Sequence, residues 1–354
     1  MPDPATLATP SPAWHPESLA ARLPFLERRA ALTAATRAFF TARGYREVET
    51  PCLVPVPGME VHLQAFRSEY LPHLGAGTRR TLWLRTSPEL ALKRLLVAGA
   101  GPVFELARVW RNGEASPRHA PEFTMLEWYR PGLGLEGMMR ETEDFVRAVC
   151  PPLVAHGGVE TDLRLPFERL SMAEAFRRWC GGLDLLATVT PEGAGDAAAL
   201  GRAAAAIGLP PRPGEGWEDL FFRLLLERVE PRLGRERATF LTHWPAPQAA
   251  LARRDPADPR AALRFELFAG GIELANAFDE LTDPAEQRAR FVADVAERRA
   301  RYGEAGWEVD EEFLAALAHG MPEGSGIALG FDRLAMLAAG ARRIEDVQWL
   351  PFAP

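Results

Sequence analysis

A chain of 354 residues, 47% of them hydrophobic, is long enough for one large domain or two ordinary ones around a substantial core. The formal net charge of -7 speaks against a general nucleic-acid binder, which is more often basic, while leaving room for a local basic groove. Cys52, Cys150 and Cys180 are odd in number and form no C-x-x-C pair, which excludes an evident zinc site or disulfide framework and points to a reducing cytoplasm; no apolar run approaches the roughly 20 residues that a membrane helix needs.

The N-terminus, MPDPATLATPSPAWHPE, is Pro- and Ala-rich without a basic n-region or an apolar h-region. Residues 1–20 are therefore expected to be a flexible tail, not a signal peptide. A helix is predicted from Pro24 to Arg43, with Gly44 as its stop. YREVETPCLVPVP then reads as a strand broken by prolines, and TLWLRT (81–86) as a strand. SPELALKRLLVAGAG opens a helix with Ser87 at the N-cap and Pro88 at the first helical position. VFELARVWR (103–111) and EFTMLEWYR (122–130) are two strands around a polar loop, and 135–149 is helical. Residues 171–235 change texture, becoming Ala-, Gly- and Pro-rich with helical patches, and are expected to form a helical insertion between blocks of sheet. RFELFAGG and GIELANAF are two strands meeting at Gly270–Gly271, a charged helix follows around 284–301, and GSGIALGFDRLAMLAAG closes the pattern as a Gly-rich strand running into a helix. Sequential strands read as hairpin-connected, so the expected class is α+β, a mostly antiparallel sheet flanked by helices.

GIELANAFDELTD (271–283) places four carboxylates, Glu273, Asp279, Glu280 and Asp283, in a run that otherwise reads as buried strand. A two-residue Gly270–Gly271 turn, or a four-residue Phe268–Gly271 loop, would put Glu266 and Glu273 on one sheet face, where they repel unless a cation or a shared proton joins them; a three-residue loop would put them on opposite faces. Two carboxylates plus substrate phosphates suit Mg²⁺; a solvated polar face with two exposed glutamates is the alternative. Strand alternation puts Asn276, Phe278 and Glu280 on the face opposite Glu273, so one shared site requires a bulge or bend near Ala275–Ala277. Glu127 is an acid in the stripe Phe123, Met125, Tyr129; it pairs with Arg108 or Arg111, or it awaits a ligand amine between aromatic walls. Arg111, Asn112, Glu114, Arg118 and His119 lie in a loop between strands. Arg333 sits at a helix start, where the dipole disfavours a cation, so a phosphate or a bridge to Asp332 or Glu323 is expected. The glycines at 324, 326 and 330 match neither the P-loop nor the dinucleotide-binding pattern. Helix capping alone accounts for Ser87 and Glu89, with a functional role left open. His62, His73, His243 and His319 have no metal-like spacing, and no Ser/His or Cys/His pairing is evident.

Taken together, RNGEASPRHAPEFTMLEWY, ELFAGGIELANAFDELTD and GSGIALGFDRL, preceded by a helix and a strand with Pro51, resemble the signature motifs of class II aminoacyl-tRNA synthetases. PEFTMLEWY and the ELTD and GFDRL segments resemble the lysyl branch. The resemblance implies one catalytic domain over 21–354 carrying the insertion at 171–235. No anticodon-binding OB-fold fits ahead of motif 1, so the chain is most similar to truncated paralogues of that branch, which activate (R)-β-lysine with ATP and attach it to a lysine of elongation factor P. It further implies that Pro51 builds a homodimer interface, that Arg111 holds the α-phosphate, and that His119 and Arg333 hold the outer phosphates. Asn112, Glu114, Arg118 and Phe123 would complete the ATP site, with Glu266 and Glu273 on Mg²⁺. Glu127 and Glu280 would take the distal ammonium of (R)-β-lysine or lysine between Tyr129 and Phe278, Asn276 its carboxylate, and Ser87 and Glu89 its amino end. Ala328 stands where lysyl-tRNA synthetases carry Gly. Gly113 stands where the family often has an acid, Ala120 where it has Asn, and Ala277 where it has Gly. Other expected readings are a ligase with a different acceptor, tRNA included, and a catalytically inactive regulatory paralogue.

Overall fold

The structure, a computed structural model, describes residues 12–73, 77, 79–303 and 306–352. The strands are β1 (Arg46–Glu47), β2 (Leu53–Val54), β3 (Arg67–Tyr70), β4 (Arg80–Leu84), β5 (Val103–Trp110), β6 (Glu122–Pro131), β7 (Leu153–His156), β8 (Val159–Asp162), β9 (Glu168–Ser171), β10 (Thr239–Pro245), β11 (Ala261–Ala269), β12 (Ile272–Asp279) and β13 (Gly324–Gly330). The helices are α1 (Pro16–Ala42), α2 (Glu89–Val97), α3 (Leu135–Val149), α4 (Met172–Trp179), α5 (Ala197–Ala206), α6 (Trp217–Leu224), α7 (Pro284–Tyr302), α8 (Glu311–Gly320) and α9 (Phe331–Ala339).

The main sheet runs β1-β5-β6-β13-β12-β11-β10-β9. It is antiparallel except at its edges, where β1 runs parallel to β5 and β9 to β10. This is the α+β class. Side-chain alternation divides its residues into two faces. Phe104, Trp128, Phe265, Leu267, Ala275, Ala277, Ile327 and Leu329 enter one core together with Phe40 and Phe145. The helices α1, α3 and α9 cover that face, drawn there by apolar stripes such as Leu26, Leu32, Phe39 and Phe40 of α1. The intervening residues Met125, Tyr129, Arg264, Glu266, Asn276, Phe278, Gly326 and Ala328 line a cavity on the other face.

The first helix starts at Pro16 instead of Pro24, capped by His15, so residues 16–20 are helical and not tail; residues 1–11 lie outside the described residues. Pro24 sits inside the helix. It is tolerated because it is exposed, as is Ala20, whose carbonyl loses its partner and meets water. The second helix begins at Glu89, one place later than expected, with Pro88 at the N-cap position. Residues 172–232 hold α4, α5, α6 and short turns of π and 3-10 helix. They close on a second core shared with Leu241, Trp244 and Phe268 of the sheet, in which Phe221 stacks on Phe176 at 5.6 Å and on Trp217 at 5.1 Å. Among the described residues no helix is long and apolar enough to cross a membrane.

Candidate active site

The hairpin β11–β12 organises the cavity. Gly270 and Gly271 have φ of +63° and +68°, the left-handed pair that a two-residue hairpin turn requires. Cross-strand pairing runs Ala269 to Ile272 and Phe268 to Glu273, then shifts so that Leu267 opposes Ala275 and Glu266 opposes Asn276. Leu274 is the extra residue, and it packs into the same core as Ala275 and Leu267. This bulge, one place ahead of the segment where the sequence required it, brings Glu273, Asn276 and Phe278 onto one face with Glu266.

Glu266 is 9% exposed. Burial, and then the Glu273 carboxylate, push its pKa up to about 8. Arg264 donates Nη2 to Glu266 Oε1 at 2.7 Å, Nη1 to the Gln248 carbonyl at 2.7 Å, and Nε to Asn276 Oδ1 at 3.1 Å. Arg264 was not singled out from the sequence. Its signal is its register opposite Phe278, which places it on the cavity face. Among the described residues no group of three or more His, Cys, Asp or Glu side chains is placed to hold a metal ion. Two adjacent carboxylates supply hard oxygen donors and leave further positions to phosphates and water, so the pair fits Mg²⁺ and would not hold it without them.

Cations gather on the neighbouring wall. The Arg111 guanidinium lies over the Phe123 ring at 5.4 Å, and its Nε is buried without a hydrogen-bond partner among the described residues. Arg333 bonds neither Asp332 nor Glu323. It donates to the Glu273 carbonyl at 3.1 Å and reaches Glu273 Oε2 at 3.5 Å, while Asp332 pairs with Arg29 at 2.6 Å. Arg333 Nη2 also lies 2.5 Å from His119 Nε2. A guanidinium only donates, so Nε2 accepts and the Nδ1 proton goes to Ser116 Oγ at 2.6 Å. Burial, then Arg333, lower the His119 pKa, in keeping with a neutral ring. Glu114 and Arg118 line the cavity. Asn112 is exposed and away from the wall, its backbone N–H bound to the Gln64 carbonyl at 2.7 Å.

Acids gather at the opposite end. Glu127 is fully buried and pairs with neither Arg108 nor Arg111: Ser87 donates Oγ–H to its Oε1 at 2.6 Å and Tyr129 its hydroxyl to Oε2 at 3.0 Å. Burial, then Glu89, push Glu127 up to about 8. Ser87 Oγ also accepts the Glu89 N–H at 2.9 Å, so one hydroxyl starts the helix and holds the acid. Glu280 is 2% exposed. Lys93, which the sequence reading passed over as part of a helix, sends Nζ to Glu280 Oε2 at 2.6 Å and to Glu89 Oε1 at 2.5 Å. Burial works against the Lys93 charge, but Glu280 and Glu89 outweigh it and raise its pKa. Glu127 and Glu280 lie just beneath the lining formed by Ser87, Tyr129 and Gly326. Gly326 is obligatory, since a Cβ there would meet Glu280 Oε1 at 2.5 Å and overlap the Tyr129 ring. Ala328 lies between Glu127 and Asn276 in the register. The cavity encloses about 410 Å³.

An antiparallel sheet with these strands, an arginine-lined wall and a carboxylate pair define a class: the family described as tRNA synthetases class II (D, K and N) matches residues 21–353, and the chain belongs to it. Its relatives are more particular. The chain is 42% identical over 336 residues to the elongation factor P–(R)-beta-lysine ligase of Haemophilus influenzae strain PittGG, covering 94% of this chain and 96% of that one. It is 43% identical over 338 residues to the ligase of the same name from Klebsiella pneumoniae, and 42% identical over 338 residues to that from Salmonella paratyphi B, with the same shares covered.

Proposed function

We propose that this protein condenses (R)-β-lysine with ATP to an aminoacyl adenylate and transfers the aminoacyl group to a lysine side chain of elongation factor P. The observation that carries this reading is the polarity of the cavity: Arg111, Arg118 and Arg333 along one wall, Glu89, Glu127 and Glu280 at the other end. A diamino acid and a nucleoside triphosphate have the matching charges.

In the first step a substrate carboxylate oxygen attacks the α-phosphorus of ATP and pyrophosphate leaves. Arg111, whose Nε has no hydrogen-bond partner to give up among the described residues, faces the negative charge that develops on the α-phosphoryl group. Asn276, its oxygen taken by Arg264, has its amide N–H groups left to orient the substrate carboxylate. Arg333 and His119 receive the outer phosphates, exchanging their mutual contact for phosphate oxygens. Glu266 and Glu273 would hold Mg²⁺, which when bound screens the phosphate charge. Glu127, Glu280 and the Tyr129 hydroxyl take the distal ammonium. In the second step a neutral amine of the acceptor attacks the adenylate carbonyl and AMP leaves. No enzyme nucleophile is required.

The reading includes a cytoplasmic homodimer joined around Pro51, where Leu53 is 44% exposed. It favours a protein acceptor over tRNA, because a net charge of -7 gives little long-range attraction to a phosphate backbone. ATP–pyrophosphate exchange with (R)-β-lysine and with α-lysine tests the first step. Transfer of labelled β-lysine to elongation factor P, with total tRNA in parallel, tests the second; label on tRNA and none on the protein would overturn the acceptor assignment.

A further inference from the structure

One carboxylate at the amine end of the cavity has no role in the scheme above. Glu60 lies in the segment between β2 and β3 and lines the cavity beside Ser87 and Glu89. That segment is clamped: Arg298 of α7 donates Nη1 to the carbonyls of Glu60, Val61 and Leu63 at 3.0, 2.7 and 2.8 Å, and its guanidinium stacks over Trp307 at 4.0 Å. Among the described residues, Glu60 Oε2 is buried and has no hydrogen-bond partner. Its neighbours do not supply one. A Cβ built on Gly58 would lie 2.5 Å from Glu60 Oε2 and 2.6 Å from Thr86 Oγ1, so both oxygens press on the same glycine. Thr86 has already committed its proton to the Pro57 carbonyl at 3.0 Å. Lys93 is committed to Glu89 and Glu280.

A buried carboxylate oxygen without a hydrogen bond is costly to a fold; Arg111 and Lys93 attract the Glu60 charge and its own backbone N–H bonds the carboxylate, but no described side chain bonds Oε2. The charges at this end point the same way. Glu60, Glu89, Glu127 and Glu280 gather here; Lys93 is bonded to Glu89 and Glu280, while Arg111 and Arg298 act on the Glu60 carboxylate through their charge. One substrate ammonium between Glu127 and Glu280 still leaves Glu60 Oε2 without a hydrogen bond among the described residues. We infer that Glu60, together with Glu89, is the receptor for a second ammonium, the amino group nearer the reacting carboxylate of a diamino acid. This rests on the reading of the cavity given under Proposed function and assigns it a specificity-determining residue. The raised pKa of Glu60, caused by burial and then by Glu89, agrees with an acid that becomes fully charged only against a bound cation.

The test compares two ligands that differ only in that amino group. (R)-β-lysine carries it, and 6-aminohexanoate has the same chain, carboxylate and distal ammonium without it. Calorimetric titration of wild type and Glu60→Gln with each ligand gives the ratio of the two dissociation constants. The ratio should favour β-lysine strongly in wild type and fall by at least tenfold in Glu60→Gln, while Tm stays level or rises because a buried unpaired acid has gone. An equal loss for both ligands, or no loss for either, would overturn the assignment of Glu60 alone. Failure of the wild type to bind either ligand would overturn the reading of the cavity, and Glu60 with it.

Discussion

Lys93 Nζ and Glu280 Oε2 are 2.6 Å apart in a place where both side chains are almost wholly enclosed, 2% and 1% exposed. The pair fixes the Glu280 carboxylate in place, and through Lys93 the Glu89 carboxylate is fixed beside it. Removing the cation leaves two buried acids facing each other, a change that costs roughly 3–5 kcal/mol when a buried pair is broken from one side. Lys93→Met should lower Tm markedly, as read by thermal denaturation. A Tm equal to wild type would mean the pair contributes nothing.

Glu266→Gln and Glu273→Gln should each cripple pyrophosphate exchange and leave the fold intact. The Glu266 variant keeps an oxygen for Arg264, whose bond is 2.7 Å, and removes the repulsion between the two acids. Exchange at near wild-type rates with Mg²⁺ limiting would show that the two carboxylates do not serve the metal.

Glu127 sets a pH dependence with opposite signs for binding and stability. Its pKa is raised from the ordinary 4.5 to about 8, so the folded protein keeps a proton that the unfolded chain loses between those values. The stability it contributes is present at low pH and is lost as pH rises through about 8. Affinity for a ligand ammonium runs the other way, because only the ionised carboxylate attracts it. The dissociation constant for β-lysine should fall from pH 6 to pH 8 and then level off, and Glu127→Gln should flatten that slope. A wild-type profile without slope would remove Glu127 from the ammonium site.

Ala328 stands between Glu127 and Asn276 in the sheet, the residues proposed for the two ends of the amino acid, so the proposal places its methyl group between those ends. One methyl in a pocket is worth about 1–3 kcal/mol, or 10–200-fold, in discrimination. Ala328→Gly should improve exchange with α-lysine relative to β-lysine. Unchanged selectivity would show that the methyl does not face the differing carbon.

What could be read from the sequence follows the range of the interactions. A tight turn at Gly270–Gly271 was legible because its backbone needs residues free to adopt positive φ, a local rule, but the sequence left open whether two, three or four residues form it. The carboxylate face followed from it by counting alternation. The bulge at Leu274 was legible only as a condition that a shared site would impose, since nothing in LAN distinguishes a bulged strand from a regular one. Lys93 and Arg264 were passed over for a different reason. On its helix Lys93 reads as an ordinary charged residue at ordinary spacing, and only the arrival of Glu280, just past the end of β12, makes it internal. Glu60 is of the same kind. The early start of α1 shows a local rule overridden, because an exposed proline leaves its orphaned carbonyl to solvent.

The bulge gives the hairpin a parity. Glu273 and Asn276 are an odd number of residues apart, which in a regular strand would set them on opposite faces of β12. The extra residue restores an even count, so both line one cavity. Length changes of one residue on the Glu273 side of Asn276 must therefore be absorbed by loss or gain of the bulge itself, and changes on the far side, between Asn276 and Glu280, have no such reserve. The first stretch can drift by single residues and still present the same face; the second can change only in pairs.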